Sequence, residues 1–228
     1  MEALADPERA SKMAPYFGVT SGGYGEGDRL LGVRARALET IARRHRGASD
    51  PTVARLLASP FHEIRMVGVR ILRDRYRRAG SDRDRMATYR LYEEHSYGVD
   101  NWDLIDISAP WIVGGELLAG RRVAAVLRQA RSSGLWTRRR AVVGTLGLVR
   151  RGQIDLALEV AAIAVPDHRD LSQKATGWVL REVGKRDRLA LDRFLDRHGP
   201  EMGRTAVRYA IELHPEPARQ ELLASTRP

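Results

Sequence analysis

Lys174-Ala175-Thr176-Gly177-Trp178-Val179-Leu180 places a basic residue ahead of two small ones and a leucine six positions later. A related arrangement, a basic residue ahead of a small apolar one, stands in Arg140-Ala141-Val142 with Leu146, and again in Arg204-Thr205-Ala206-Val207 with Ala210 and Ile211. The spacing between copies is a little over thirty residues, and Arg65-Met66-Val67 lies about two such periods upstream of Arg140. A period of that length is one helix–turn–helix unit, so these residues predict a stack of helical hairpins.

The rest of the chain reads the same way. Apolar residues recur at spacings of three and four, as in Ile64, Val67, Ile71 and Leu72, and no segment alternates in the manner of a strand. Helix starts and stops predict elements opening at Asp28 and closing at Gly47, opening at Ser59-Pro60 and closing at Gly80, and opening at Ser81. Further helices are expected from Asn101, Leu135, Gln153, Asp170, Asp187, Pro200 and Pro215. Short connections make sequential helices antiparallel neighbours. The expected fold is therefore all-α, a HEAT-like or armadillo-type solenoid of about six helical hairpins, forming one domain over residues 1–228.

Composition narrows the function. The 228 residues are 43% hydrophobic and 30% charged, which excludes a wholly disordered chain, and no apolar run approaches a membrane span. Residues 1–11 are acidic and polar where a signal peptide would be basic and then apolar, so a cytoplasmic location is expected. There is no cysteine, and the six histidines show no HxxxH or HxH spacing, so no metal site is expected.

The net charge is +10, and all but Lys12, Lys174 and Lys185 of the 39 basic residues are arginine. Guanidinium forks phosphate oxygens bidentately, which suits a nucleic-acid backbone. A GC-rich coding sequence would raise arginine everywhere; it would not cluster it. Between Glu116 and Asp155 there is no acid, while nine arginines fall there: Arg121, Arg122, Arg128, Arg131, Arg138, Arg139, Arg140, Arg150 and Arg151. A second cluster, Arg65, Arg70, Arg73, Arg75, Arg77 and Arg78, is relieved only by Glu63 and Asp74. Both clusters are expected to converge on one concave face as the electrostatic footprint of a nucleic-acid backbone.

Three tryptophans stand beside charges. In Asp100-Asn101-Trp102-Asp103-Leu104-Ile105-Asp106, an Asx cap starts a helix on which Trp102 and Asp106 share a face at i and i+4. Leu104, Ile105 and Ile112 serve the core, leaving the pair to line a surface. Around Trp178, Arg181 follows at i+3 and Lys174 precedes by one turn, so an indole shares a face with cations that can meet phosphate. Trp136 opens the acid-free helix and is read as packing against the preceding hairpin. The bland reading of the Trp–Asp pair is a half-buried indole with a solvated acid. The sharper one is that two indoles and a carboxylate hold a cationic group and stabilise a developing positive centre, as an alkylated purine nucleoside would require.

The sequence resembles the AlkD-type DNA alkylation-repair glycosylases, which are built of HEAT-like repeats. The resemblance rests on WDLID at Trp102–Asp106, WTRRRA at Trp136–Ala141, KATGWVLRE at Lys174–Glu182, KMAPYF at Lys12–Phe17 and YGEGDRLLGV at Tyr24–Val33, in order along essentially the whole chain. It implies that Asp106 is the catalytic carboxylate, that Trp102 and Trp178 contact the sugar and backbone of the lesion nucleotide, that Arg139 and Arg181 hold phosphates, and that Tyr16 lines the same cleft. It also implies excision of cationic alkylpurines of the 3-methyladenine and 7-methylguanine type while the base stays stacked, without a deep base-flipping pocket. No cofactor, no membrane and a monomeric protein are expected. The alternatives are a resistance glycosylase for bulky genotoxin adducts and a non-catalytic HEAT-repeat scaffold that binds DNA.

Overall fold

The computed structural model of the chain describes residues 2–225, which divide into two compact units between Ile112 and Val113. Among the described residues there is no β-strand, only an isolated bridge between Arg29 and Phe61. None of the described helices is long and apolar enough to cross a membrane.

In the first unit α1 (Pro7–Met13), α2 (Ala35–Arg44), α3 (Asp50–Leu57), α4 (His62–Arg78) and α5 (Asp82–Glu94) precede α6 (Trp102–Leu118). Local chemistry starts several of them. Asp6 accepts from the Arg9 amide at 3.0 Å ahead of Pro7, and Ser81 Oγ accepts from the Asp84 amide at 3.2 Å. Each supplies one of the amide partners that the first helical turn lacks. α4 packs against α2, α3 and α5, and its stripe of Val67, Ile71 and Leu72 is buried with Leu57 and Tyr92. Each such aliphatic side chain removed from water contributes about 2 kcal/mol.

The second unit holds α7 (Val123–Ala130), α8 (Leu135–Gly144), α9 (Leu146–Val149), α10 (Asp155–Ala164), α11 (Asp170–Gly184), α12 (Arg188–His198), α13 (Arg204–Ala210) and α14 (Glu216–Ser225). α8, α11 and α13 lie side by side, and α10 packs across α7, α8 and α11, so alternate helices form two layers as helical-hairpin repeats require. Leu180, Leu191, Leu195, Val207 and Ile211 fill the core between them. Gly177 explains the closest crossing. A Cβ there would lie 2.4 Å from the Ala206 carbonyl oxygen and 2.5 Å from Tyr209 Cβ, so only glycine lets α11 meet α13.

Expected starts at Ser81, Asn101, Leu135, Asp170, Asp187 and Pro215 agree with the structure to within about a residue. The start at Asp28 does not. Residues 28–34 are non-helical, with Gly32 in the left-handed region at φ 76°, and α2 begins at Ala35, because Asp28 spends its carboxylate on His62 and Arg65 rather than on a helix amide. Glu63 on α4, 1% exposed, holds the same segment by accepting from the amides of Leu31 at 2.9 Å and Gly32 at 2.7 Å. At Pro200 the chain forms one 3₁₀ turn, and α13 begins only after Gly203. The repeated basic residue is not a repeated surface cation either: Arg65 and Arg140 are each 4% exposed.

Candidate active site

Asn101 builds the start of α6. Its side-chain oxygen accepts from the Trp102 amide at 2.8 Å, and its amide nitrogen donates to the Phe17 carbonyl at 3.1 Å, so one buried residue both caps the helix and ties down the N-terminal segment. Trp102 and Asp106 follow one turn apart, both half-buried, while Leu104 and Ile105 between them are fully buried. The face expected from i, i+4 spacing is present.

Aromatic rings support Trp102. Phe17 stacks on it with centroids 5.8 Å apart and planes 13° from parallel, and Tyr16 meets it edge-on at 5.2 Å. Tyr16 is 64% exposed, with its carbonyl accepting from Tyr24 Oη at 2.7 Å. Tyr16 and Trp102 thus form an open aromatic ledge with Phe17 behind it. Phe17 lies within the quoted KMAPYF motif, but its stacking role has no signature in a single sequence.

Beneath the ledge is a buried charge cluster that sequence reasoning missed. His62, 2% exposed, has Nε2 at 2.9 Å from Asp103 and Nδ1 at 3.4 Å from Asp28, and Phe17 covers its ring at 4.6 Å. Arg65 reaches Asp28 at 2.5 Å and Asp100 at 3.1 Å, and donates to the Ser59 carbonyl at 3.0 Å. Burial pushes the imidazole down, yet its hydrogen bonds to Asp103 and Asp28 outweigh burial and lift it to about 9. Burial likewise opposes ionisation of Asp28, but His62 and Arg65 hold it below its usual value, whereas burial keeps Asp100 above its own.

These shifts set a pH window. His62 titrates near 6.5 when unfolded and near 9 when folded, so its stabilisation is complete below about pH 6.5 and is lost as pH rises through 9. The amount is on the order of 3 kcal/mol. Urea unfolding from pH 6 to 10 is expected to show wild type losing stability toward pH 10, with His62→Gln less stable at pH 6 and nearly flat. Parallel curves for the two proteins would show that the imidazole is not charged in the fold.

In the second unit Trp178 is half-buried on α11, with Arg181 and Lys174 on the same helix. Arg181 pairs with Glu212 and stands 3.6 Å from Glu182, while Lys174 pairs with Asp170 at 2.7 Å. Arg139 is 4% exposed and donates to the Leu171 carbonyl at 2.6 Å, which ties α8 to the first turn of α11. Trp136 is half-buried at the start of α8. Among the described residues no three His, Cys, Asp or Glu side chains gather where they could hold a metal ion.

The two arginine clusters differ from expectation because their counter-charges come from distant segments. Arg70 and Arg73 share Glu39, Arg73 also meets Asp74 at 2.8 Å, Arg75 meets Asp50 at 2.8 Å, and Arg65 is buried as described. In the acid-free stretch Arg121 binds Glu116 through two hydrogen bonds, and Arg138 reaches Asp167 at 2.5 Å. Burial opposes the Asp167 charge, but hydrogen bonds from the Arg169 side chain and amide and the Arg138 guanidinium hold its carboxyl well below the usual range. Much of the charge that reads as a DNA footprint is therefore spent inside the fold.

Residues 1–213 match the family model described as "DNA alkylation repair enzyme". Among solved structures, one described as "Predicted DNA alkylation repair enzyme from Enterococcus faecalis" superposes with a TM-score of 0.70 over 93% of this chain and 98% of that chain. It is 16% identical in sequence, so the likeness is one of fold. No curated protein matches the chain.

Proposed function

The chain belongs to the DNA alkylation repair enzyme family, and on that premise we propose that it is a DNA N-glycosylase that hydrolyses the N-glycosidic bond of cationic alkylpurines in duplex DNA. The observation that carries this reading is the half-exposed Trp102–Asp106 pair one helical turn apart, backed by the Tyr16–Phe17 ledge. Methylation at purine N3 or N7 makes the base a cationic leaving group. The C1′–N bond breaks, its electron pair leaves with the base, and an oxocarbenium-like sugar remains. Asp106 stabilises that positive sugar and orients the water that adds to C1′ and gives up one proton to solvent, leaving free neutral base and an abasic site.

Trp102 offers a π face to the positively charged nucleotide. An open ledge suits a base that stays stacked better than one flipped into an enclosed pocket. In the second unit Trp178 contributes a sugar and backbone contact, with Arg181 and Lys174 turning from Glu212 and Asp170 to phosphate. Arg139 acts on the backbone from its anchored position against Leu171. We place the protein in the cytoplasm as a monomer acting on duplex DNA. Incubation with duplexes carrying 3-methyladenine or 7-methylguanine, followed by chromatography of the released base, tests the reading. Free base and an abasic site are expected; duplex binding without release would make the protein a scaffold.

A further inference from the structure

α2 and α4 enclose a pocket of about 300 Å³ lined by Glu39, Arg43, Arg73, Asp74, Arg77 and Arg78. Its two acids are already engaged, Glu39 by Arg70 and Arg73 and Asp74 by Arg73. Among the described residues Arg43, Arg77 and Arg78 have no ion pair, and all three are exposed. Three guanidinium groups thus face a cavity whose negative charge is spent.

Arg77 is also preorganised. Its guanidinium carbon lies 4.3 Å from the centroid of the Trp111 ring, and Trp111 is 40% exposed on α6. A guanidinium lying over an indole face keeps its in-plane N–H donors pointing outward, the geometry that forks a phosphate. Trp111 is nine residues beyond Trp102 on the same helix, about 14 Å along its axis at 1.5 Å per residue.

Resting on the glycosylase reading, we infer that the α2–α4 pocket is a phosphodiester site that grips the DNA backbone away from the lesion, with Arg77, steadied by Trp111, and Arg43 as its ligands. The competing explanation is that arginines in the last turns of α2 and α4 merely offset the helix dipoles.

Affinity for undamaged duplex, measured by anisotropy across a salt series on the full chain, separates the two. Each lost phosphate contact reduces the slope of log affinity against log salt by about one. Arg77→Gln and Arg43→Gln are each expected to show that reduction, and Trp111→Leu a weaker binding with the slope nearly retained. Arg83→Gln, which removes an equal charge from the exposed face of α5, is expected to leave the slope unchanged. All four positions are exposed, and circular dichroism checks that the variants fold.

Slopes for Arg77→Gln and Arg43→Gln equal to that of Arg83→Gln, with wild type binding normally, would overturn the pocket alone. A wild-type protein with no affinity for duplex would overturn the glycosylase reading and the pocket together. Inorganic phosphate, titrated at constant ionic strength, distinguishes the source of the anion: millimolar binding lost in Arg77→Gln, without any change in the duplex slope, would assign the pocket to a small anion and overturn it as a backbone contact.

Discussion

Asp106→Asn is expected to lower the single-turnover excision of 3-methyladenine by about a hundredfold or more, the scale on which removal of one preorganised electrostatic group acts on a transition state. The substitution keeps the shape and removes the negative charge that the sugar cation needs. Duplex binding should persist or tighten, because a carboxylate near phosphates has been neutralised. The loss should be smaller for adducts that depurinate readily on their own, which depend least on stabilisation of the cation. Full activity in Asp106→Asn, with normal release of 3-methyladenine, would remove Asp106 from the chemistry.

Asp103 provides the internal control. It lies three residues before Asp106 on α6, but its Oδ2 faces His62 Nε2 and its Oδ1 accepts from the Leu104 amide at 2.8 Å. Its neutralisation should therefore appear first as lost stability at neutral pH rather than as a slower chemical step. If Asp103→Asn folded normally and abolished excision while Asp106→Asn did not, the catalytic assignment would be misplaced on the helix.

The start of α6 was legible because its information is local: an Asx cap, an indole and a carboxylate within six residues specify a helix and one of its faces. The hairpin architecture was legible for a similar reason, since a recurring pattern needs no knowledge of which segments touch. Asp28 was misread because an acid that caps a helix and an acid that binds a buried histidine look alike in sequence. Its partners His62 and Arg65 lie 34 and 37 residues away, and only the fold brings them together.

The charge clusters failed in the same direction. Counting acids in and beside Arg65–Arg78 finds Glu63 and Asp74, yet Glu63 is occupied with backbone amides, and besides Asp74 the neutralising groups are Asp28, Glu39, Asp50 and Asp100 from other segments. Arginine density along a sequence measures charge; exposure and pairing decide what remains for a ligand. Arg139 shows the point at a single residue. The resemblance carried by its motif implies a phosphate contact, whereas its position, 4% exposed and bonded to Leu171, makes it a strut of α11.

Replacing Trp102 separates two jobs that its position combines. The indole packs on Phe17 and Tyr16, and in the proposed glycosylase its π face favours a positive nucleotide. Trp102→Leu retains apolar bulk and removes the π face, while Trp102→Phe retains a smaller one. A desolvated cation–π contact contributes up to about 2 kcal/mol, or about thirtyfold. Excision of 7-methylguanine is therefore expected to fall about ten- to thirtyfold in Trp102→Leu and less in Trp102→Phe. In an Asp106→Asn background, where the lesion is not consumed, the preference for a 7-methylguanine duplex over the unmethylated one should shrink in the same order. If Trp102→Leu excised cationic lesions at the wild-type rate, the indole would be a packing residue alone, and recognition of the positive charge would have to come from elsewhere in the site.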